Sequence, residues 1–180
     1  MGTFGNTNKN YTKLAIFDFD GTLLDTPLPL QGKALYKEKT GNDWPFSGWW
    51  GQKLSLDMNI FDMPVIKSVI TDYKKEKTHP NTCMVMLTGR MVKLGDSVKK
   101  ILDAKKLTFD EYHFNRGGST DVAKIKTLET LLEKYPNVKD LEMWDDRLEH
   151  IPVFQSWGDK LLKSGRLNTF NINVVPANRH

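Results

Sequence analysis

Two pairs of carboxylates, each closing an apolar run, set the chemistry open to this chain. In Asp18-Phe19-Asp20-Gly21-Thr22 the acids stand at i and i+2 after the run LAIF. On a strand that spacing points both side chains the same way, and Gly21 permits the sharp turn that frees them from the sheet. Acids and glycine close ordinary strands too. Two like charges beside a buried strand end are costly, however, unless a metal or an anionic reaction uses them. Asp145-Asp146 repeats the pattern after LEMW, with Arg147 following. In a doubly wound sheet, ligands bind at the carboxyl ends of the strands where the winding reverses. If the Asp18 and Asp146 strands are neighbours there, their carboxylates converge into an oxygen-rich cluster of the kind that suits Mg²⁺.

Two further elements add groups suited to an anion. Leu87-Thr88-Gly89-Arg90 ends another apolar run. Thr88 offers a hydroxyl, and Gly89 lets backbone N–H groups approach a phosphate closely. Taken alone, the stretch reads equally well as a plain strand-to-helix turn. Lys124 falls in the first turns of a predicted helix, where a lysine is by itself a solvated charge. Lys126 is two residues on and faces elsewhere.

The elements that must position these groups follow from periodicity. Short apolar runs at Leu14–Asp20, Cys83–Gly89, Phe109–Asn115, Asp140–Asp146 and Thr169–Val175 have the length of strands. Between them, Val92, Val98, Ile101 and Leu102 recur at near-helical spacing. After a cap at Ser119 or Thr120, Val122, Ile125, Leu128, Leu131 and Leu132 form one helical face. Pro152 fits the first turn of a last helix running toward Leu162, which Gly165 ends. Strands alternating with helices imply an α/β fold with a mostly parallel sheet and right-handed crossovers. Residues 26–81 are the exception. With Pro27, Pro29, Pro45 and Pro64, and with Trp44, Phe46, Trp49 and Trp50 clustered, they predict a small helical flap inserted over the sheet edge.

The chain has 180 residues, enough for one domain; residues 1–12 read as a disordered leader and 13–180 as the domain. No apolar run is long enough to span a membrane, and the polar N-terminus lacks the pattern of a signal peptide. Asn6 stands where a myristoylation signal wants Ser or Thr. Cys83 is the only cysteine, which excludes an internal disulfide and a cysteine zinc site. The expectation is an intracellular, cytoplasmic protein. A net charge of +4 suits an anionic substrate but is too weak to establish a nucleic-acid surface. His79, His113, His150 and His180 lack metal-ligand spacing, and no P-loop or nucleophile-elbow sequence is present.

DFDGT, LTGR, a lysine before the fourth strand and WDDR resemble, in order, the four motifs of the haloacid dehalogenase (HAD) superfamily. The resemblance implies a Rossmann-like five-stranded sheet in the order 5-4-1-2-3, which sets the Asp18 and Asp146 strands side by side. It implies Asp18 as nucleophile and Asp20 as general acid/base, with Thr88, Gly89 and Lys124 holding the phosphoryl group. It further implies Mg²⁺ bound by Asp18, the Asp20 carbonyl and Asp146, supported by Asp145, Arg90 and Arg147. GWWG at Gly48–Gly51 with Ser55-Leu56, then STDVAKIKTL and DDRLEH, is similar to the Swiss Army Knife RNA repair-like branch. Ala123 and Asp145 depart from that branch's Phe and Glu.

These similarities imply a phosphomonoester hydrolase working through an aspartyl-phosphate, with protonated Asp20 giving its proton to the leaving oxygen. Its substrate would be an RNA or DNA end or a nucleotide, and no obligate protein partner is evident. Alternatives are a phosphatase of small metabolites and a non-catalytic module that keeps the scaffold. Trp49 and Trp50 are the flap residues that could meet a substrate. The aromatic cluster either stacks on bases or forms the insertion's own core.

Overall fold

Each expected apolar run becomes a strand, and the sheet order follows from where the chain crosses back. The protein is described by a computed structural model covering residues 10–176. Strand β1 (Lys13–Phe17) is central, flanked by β2 (Thr82–Met91) and β4 (Asp140–Asp145). Strand β3 (Glu111–Asn115) borders β2, and β5 (Thr169–Val174) borders β4. Every pairing is parallel, in the order β3-β2-β1-β4-β5. This is the expected 5-4-1-2-3 order seen from the other edge. Phe17 lies opposite Met86 on one side and Trp144 on the other. The next residues along the three strands, Asp18, Leu87 and Asp145, therefore stand side by side at the switch point, near the carboxyl end of the sheet.

Alternation along β1 divides the core into two layers. Ala15 and Phe17 point into one, with Phe17 stacked on Trp144 at 4.2 Å between ring centroids. Leu14 and Ile16 point into the other. Helices α2 (Lys67–Lys77) and α3 (Gly95–Ala104) cover the first layer through Val69, Tyr73, Val98 and Leu102. Helices α4 (Thr120–Lys134) and α5 (Ile151–Lys163) cover the second through Leu128, Leu131 and Phe154. Among the described residues, no helix is long and apolar enough to cross a membrane.

Several boundaries differ from the sequence reading, each for a local reason. Strand β1 stops at Phe17, because Asp18 to Leu24 form a tight turn in which Gly21 takes φ 72°. There the N–H of Leu23 donates to the Asp18 carbonyl. Strand β2 continues past Gly89 to Met91, and Val92–Leu94 makes a 3-10 turn, so α3 begins only at Gly95. Of the expected leader, residues 1–9 lie outside the described residues, as does His180. Tyr11 packs edge-on against Tyr135 at 5.0 Å, and the Thr12 N–H donates to Asn81.

Residues 26–81 contain α1 (Pro29–Thr40), a 3-10 turn at Lys53–Leu56 and α2. Helix α2 is the crossover from β1 to β2, so the extra structure is the stretch before it. That stretch has an aromatic core of its own. The Trp49 ring lies 4.6 Å from Trp44 and 5.4 Å from Phe61. Gly32 makes room for it, since a Cβ there would sit 2.0 Å from Trp49 Cη2. Trp49 is only 3% exposed. It therefore belongs to the insertion's core and not to a substrate-facing surface, a correction to its place among the flap residues. Trp50, its neighbour, turns the other way.

Candidate active site

The ends of β1, β2 and β4 and the start of α4 enclose a cavity of about 190 Å³. Asp18, Asp20, Thr88, Gly89, Arg90, Lys124, Asp146 and Arg147 line it, all candidates from the sequence. Its volume is below the roughly 300–1,000 Å³ typical of a small-molecule pocket. It suits a phosphoryl group better than a whole nucleotide.

Lys124 is the hinge of the charge arrangement. Its Nζ donates to Asp18 Oδ1 at 3.0 Å and to Asp145 Oδ2 at 2.7 Å. The lysine is buried, and desolvation works against its charge. The two carboxylates outweigh that and raise its pKa, which keeps it cationic. Asp18 is also buried. Desolvation pushes its carboxyl well above the usual range, Lys124 pulls down, and Asp145, Asp146 and Asp20 push up again. Thr22 Oγ1 adds a hydrogen bond to Asp18 Oδ2 at 3.2 Å. Negative charge is in excess around Asp18, so the site calls for more cation than Lys124 provides.

Oxygen atoms of Asp18, Asp145 and Asp146 lie within 4.8 Å of one another. Such a hard, oxygen-only donor set fits Mg²⁺. The two acids after β4 differ in surroundings. Both Asp145 oxygens are engaged, Oδ2 by Lys124 and Oδ1 by the Arg147 N–H at 3.0 Å. Asp146 is less buried and lines the cavity.

Asp20 is held by Arg90. The guanidinium donates from Nε to Oδ2 and from Nη2 to Oδ1, each at 2.8 Å, and Thr26 Oγ1 donates to Oδ1 at 2.7 Å. Burial alone would raise the Asp20 pKa, but Arg90 and Thr26 reverse the direction and lower it. Asp20 is therefore ionised in this arrangement, whereas the sequence reading had it protonated. Arg90 Nη1 also donates to the Trp50 carbonyl and to Ser55 Oγ, both at 2.8 Å. The Trp50 ring stacks over the same guanidinium at 5.0 Å. One buried arginine thus ties the insertion to the Asp20 carboxylate.

Thr88 is buried, and its Oγ1 accepts from the Arg90 N–H at 3.1 Å. Gly89 is required by packing, because a Cβ there would lie 2.6 Å from Thr120 Cγ2. The end of β2 can therefore sit directly against the first turn of α4. Trp50 and Leu28, each about two-fifths exposed, complete the mouth. Arg147 Nη2 lies 3.3 Å from His150 Nε2. Sequence reasoning assigned no role at the site to Thr22, Thr26, Leu28 or Ser55, and took Thr120 only as a candidate helix cap. Thr22 and Ser55 stand inside quoted motifs, while nothing in the sequence marks Thr26 or Leu28.

This sheet order, with acids at the ends of its two adjoining central strands, defines a haloacid dehalogenase-type domain. Residues 33–180 match the model of HAD domain family 1 in Swiss Army Knife RNA repair proteins, and the chain belongs to that family. Strand β1 and Asp18 stand upstream of the matched stretch and are joined to it by the pairing with β2 and β4. Over 173 residues the chain is 28% identical to the uncharacterized Saccharomyces cerevisiae protein YMR265C, covering 81% of this chain and 37% of that one. Among solved structures it resembles a chain of the Pnkp1/Rnl/Hen1 complex at TM-score 0.56 and 15% identity. That likeness covers 99% of this chain and 50% of that one. It also resembles the HAD domain of effector protein Lem4 from Legionella pneumophila at TM-score 0.53 and 12% identity, covering 96% and 91%. The chain thus spans half or less of the yeast relative and of the repair-complex chain.

Proposed function

We infer that this chain is a Mg²⁺-dependent phosphomonoester hydrolase acting on the phosphorylated end of a nucleic acid or on a nucleotide. The observation that carries this reading is the Asp18 carboxylate beside Lys124, Asp145 and Asp146 in a cavity of about 190 Å³. The family's RNA repair description, and the repair complex among the structural neighbours, favour a nucleic-acid end as substrate.

An Asp18 carboxylate oxygen attacks phosphorus and forms an aspartyl-phosphate as the bond to the leaving oxygen breaks. Lys124, Thr88 and the backbone at Gly89 stabilise charge on the transferring group. Asp18 and Asp146, with the Asp20 carbonyl, would hold Mg²⁺, whose charge would offset the repulsion between carboxylate and phosphate. Asp20 gives a proton to the leaving oxygen, then takes one from the water that cleaves the intermediate. The pairing with Arg90 stores Asp20 in its basic form, which matches the second step. For the first step, substrate binding has to loosen that pair and Asp20 has to take up a proton, from solvent or from a singly ionised phosphomonoester, before passing it to the leaving oxygen.

The test is a screen of phosphorylated compounds with and without Mg²⁺: 3′- and 5′-phosphorylated oligonucleotides, mononucleotides, small metabolites and an aryl phosphate. The expected result is Mg²⁺-dependent release of phosphate, fastest from oligonucleotide ends and abolished by Asp18→Asn. Full activity in Asp18→Asn refutes the covalent route. No hydrolysis of any compound favours the non-catalytic module.

A further inference from the structure

A cavity of about 190 Å³ accommodates an end phosphate and little more, so the rest of a larger substrate must lie along the surface. A second, larger groove of about 470 Å³ lies along the same helix, α4. The two share a wall. Thr120 and Lys124 of α4 line the cavity, whereas Ala123, Lys126, Thr127 and Thr130 of the same helix line the groove. Residues 120, 123, 127 and 130 fall on one helical stripe leading away from the phosphate site. The loop before α4 contributes Arg116 and Gly117, and the far wall is β3.

The groove's chemistry is one-sided. Its lining contains His113, Arg116 and Lys126 and no carboxylate. His113 is committed to Glu111, its Nε2 lying 2.7 Å from Oε1. Arg116 and Lys126 are exposed and form no ion pair among the described residues. Lys99 sits at the rim, 5.3 Å from the ring centroid of Tyr112, which lines the groove with Phe114. Strand β3 ends the sheet, so one row of its backbone N–H groups is unpaired by any other strand. Cations and aromatic rings in one trough are what a single-stranded phosphodiester chain uses.

We propose that the groove between β3 and α4 is the track for a single-stranded polynucleotide whose end phosphate enters the cavity beside Asp18. The inference rests on the phosphatase reading for the end phosphate; the strand contact can be read separately. Arg116 and Lys126 each neutralise one phosphate, and the stripe on α4 sets the direction of approach.

The test measures binding of unphosphorylated single-stranded RNA and DNA across a range of salt, for the wild-type chain and for Arg116→Gln/Lys126→Gln. Both side chains are exposed and outside the catalytic cavity, so the variant folds and hydrolyses an aryl phosphate like wild type; circular dichroism and the aryl assay check this. Each phosphate contact on a single strand contributes about 0.7 to the slope of log K against log salt, so losing two makes the slope shallower by about 1.4. The variant should also lose the preference for phosphorylated oligonucleotides over mononucleotides. Unchanged affinity and slope overturn the proposal. So does absence of RNA and DNA binding together with wild-type self-association that the variant abolishes, which assigns the β3 edge to a second copy. If no phosphorylated compound is hydrolysed while the salt slope still drops in the variant, the phosphatase reading fails and the track stands.

Discussion

Arg90 is the residue on which the insertion, the cavity and Asp20 converge, and its replacement by methionine is the sharpest test of that coupling. The guanidinium is buried at 3% exposure and donates to both Asp20 oxygens, the Trp50 carbonyl and Ser55 Oγ. Arg90→Met keeps the volume but leaves the Asp20 carboxylate, 17% exposed, without its cation. Breaking a buried pair from one side costs about 3–5 kcal/mol. Thr26 still donates and some water reaches Asp20, so the expected loss is about 3 kcal/mol. At a urea m-value of about 1–3 kcal/mol/M, the unfolding midpoint falls by about 1–3 M. Arg90→Lys keeps the charge and should recover part of the loss, though not the two-point geometry.

The pH dependence carries a sign. Arg90 depresses the Asp20 carboxyl below its ordinary 3.8, so its stabilisation is present above that value and is lost as pH falls through the folded pKa. In Arg90→Met burial is opposed only by Thr26 and Lys124, so the downward shift shrinks and Asp20 contributes less stability above 3.8 than in wild type. The stability gap between wild type and variant must therefore narrow on acidification below about pH 4. An Arg90→Met protein within about 0.5 kcal/mol of wild type at neutral pH, or a gap that stays constant to low pH, refutes the reasoning.

Gly32→Ala should cost about 1–3 kcal/mol by forcing a Cβ to within 2.0 Å of the Trp49 ring, read from thermal unfolding; a neutral substitution would mean the insertion repacks freely. Mg²⁺ at about a hundredfold over its dissociation constant should raise stability by about 2.7 kcal/mol. Asp146→Asn should sharply reduce that gain, and an equal gain in both proteins would place the ion elsewhere. Burial opposes the charge on Glu111, but hydrogen bonds from His113, Lys134 and Tyr135 win and pull its pKa from 4.5 to about 2. Its stabilisation is complete above pH 4.5 and is lost between there and about pH 2. Glu111→Gln should flatten that part of the acid-unfolding curve, and an unaltered curve would show that the cluster contributes nothing.

The centre of the sheet was legible in the sequence because β1 and β2 are buried on both faces and so read as unbroken apolar runs, whereas β3 and β5 are partly exposed and mix polar residues in. The strand ends were less legible. Asp18 to Asp20 look like a continuation of LAIF until Gly21 is seen at φ 72°, where the chain has already left the sheet. Two catalytic candidates were legible for a related reason: Asp18 and Asp145 are charges closing buried strands, where burial has a cost, whereas Lys124 reads alone as a solvated charge and was legible only through the family resemblance. What escaped the sequence was partnership. Nothing in LTGR says that its arginine reaches Asp20, some seventy residues earlier, and then on to Trp50 and Ser55. Nor could the spacing separate Trp49 from Trp50. Adjacent residues in an irregular segment share no periodicity to divide them, and only the gap left by Gly32 decides which ring goes inward.

That gap also explains why the insertion can serve the site without closing over it. Trp49 fills the insertion's core, which fixes the backbone at residue 50. The Trp50 carbonyl then meets Arg90 Nη1 at 2.8 Å, and its ring lies over the same guanidinium. The guanidinium holds both Asp20 oxygens in turn. A chain of packed and hydrogen-bonded groups therefore runs from Gly32 through Trp49 and Arg90 to the carboxylate, with no hinge along it. If this is how the insertion works, Gly32→Ala should disturb Asp20 at a distance: kcat for the aryl phosphate falls while Mg²⁺ stabilisation, which depends on Asp18 and Asp146, is kept. Loss of both together would mean that the substitution merely loosens the whole domain.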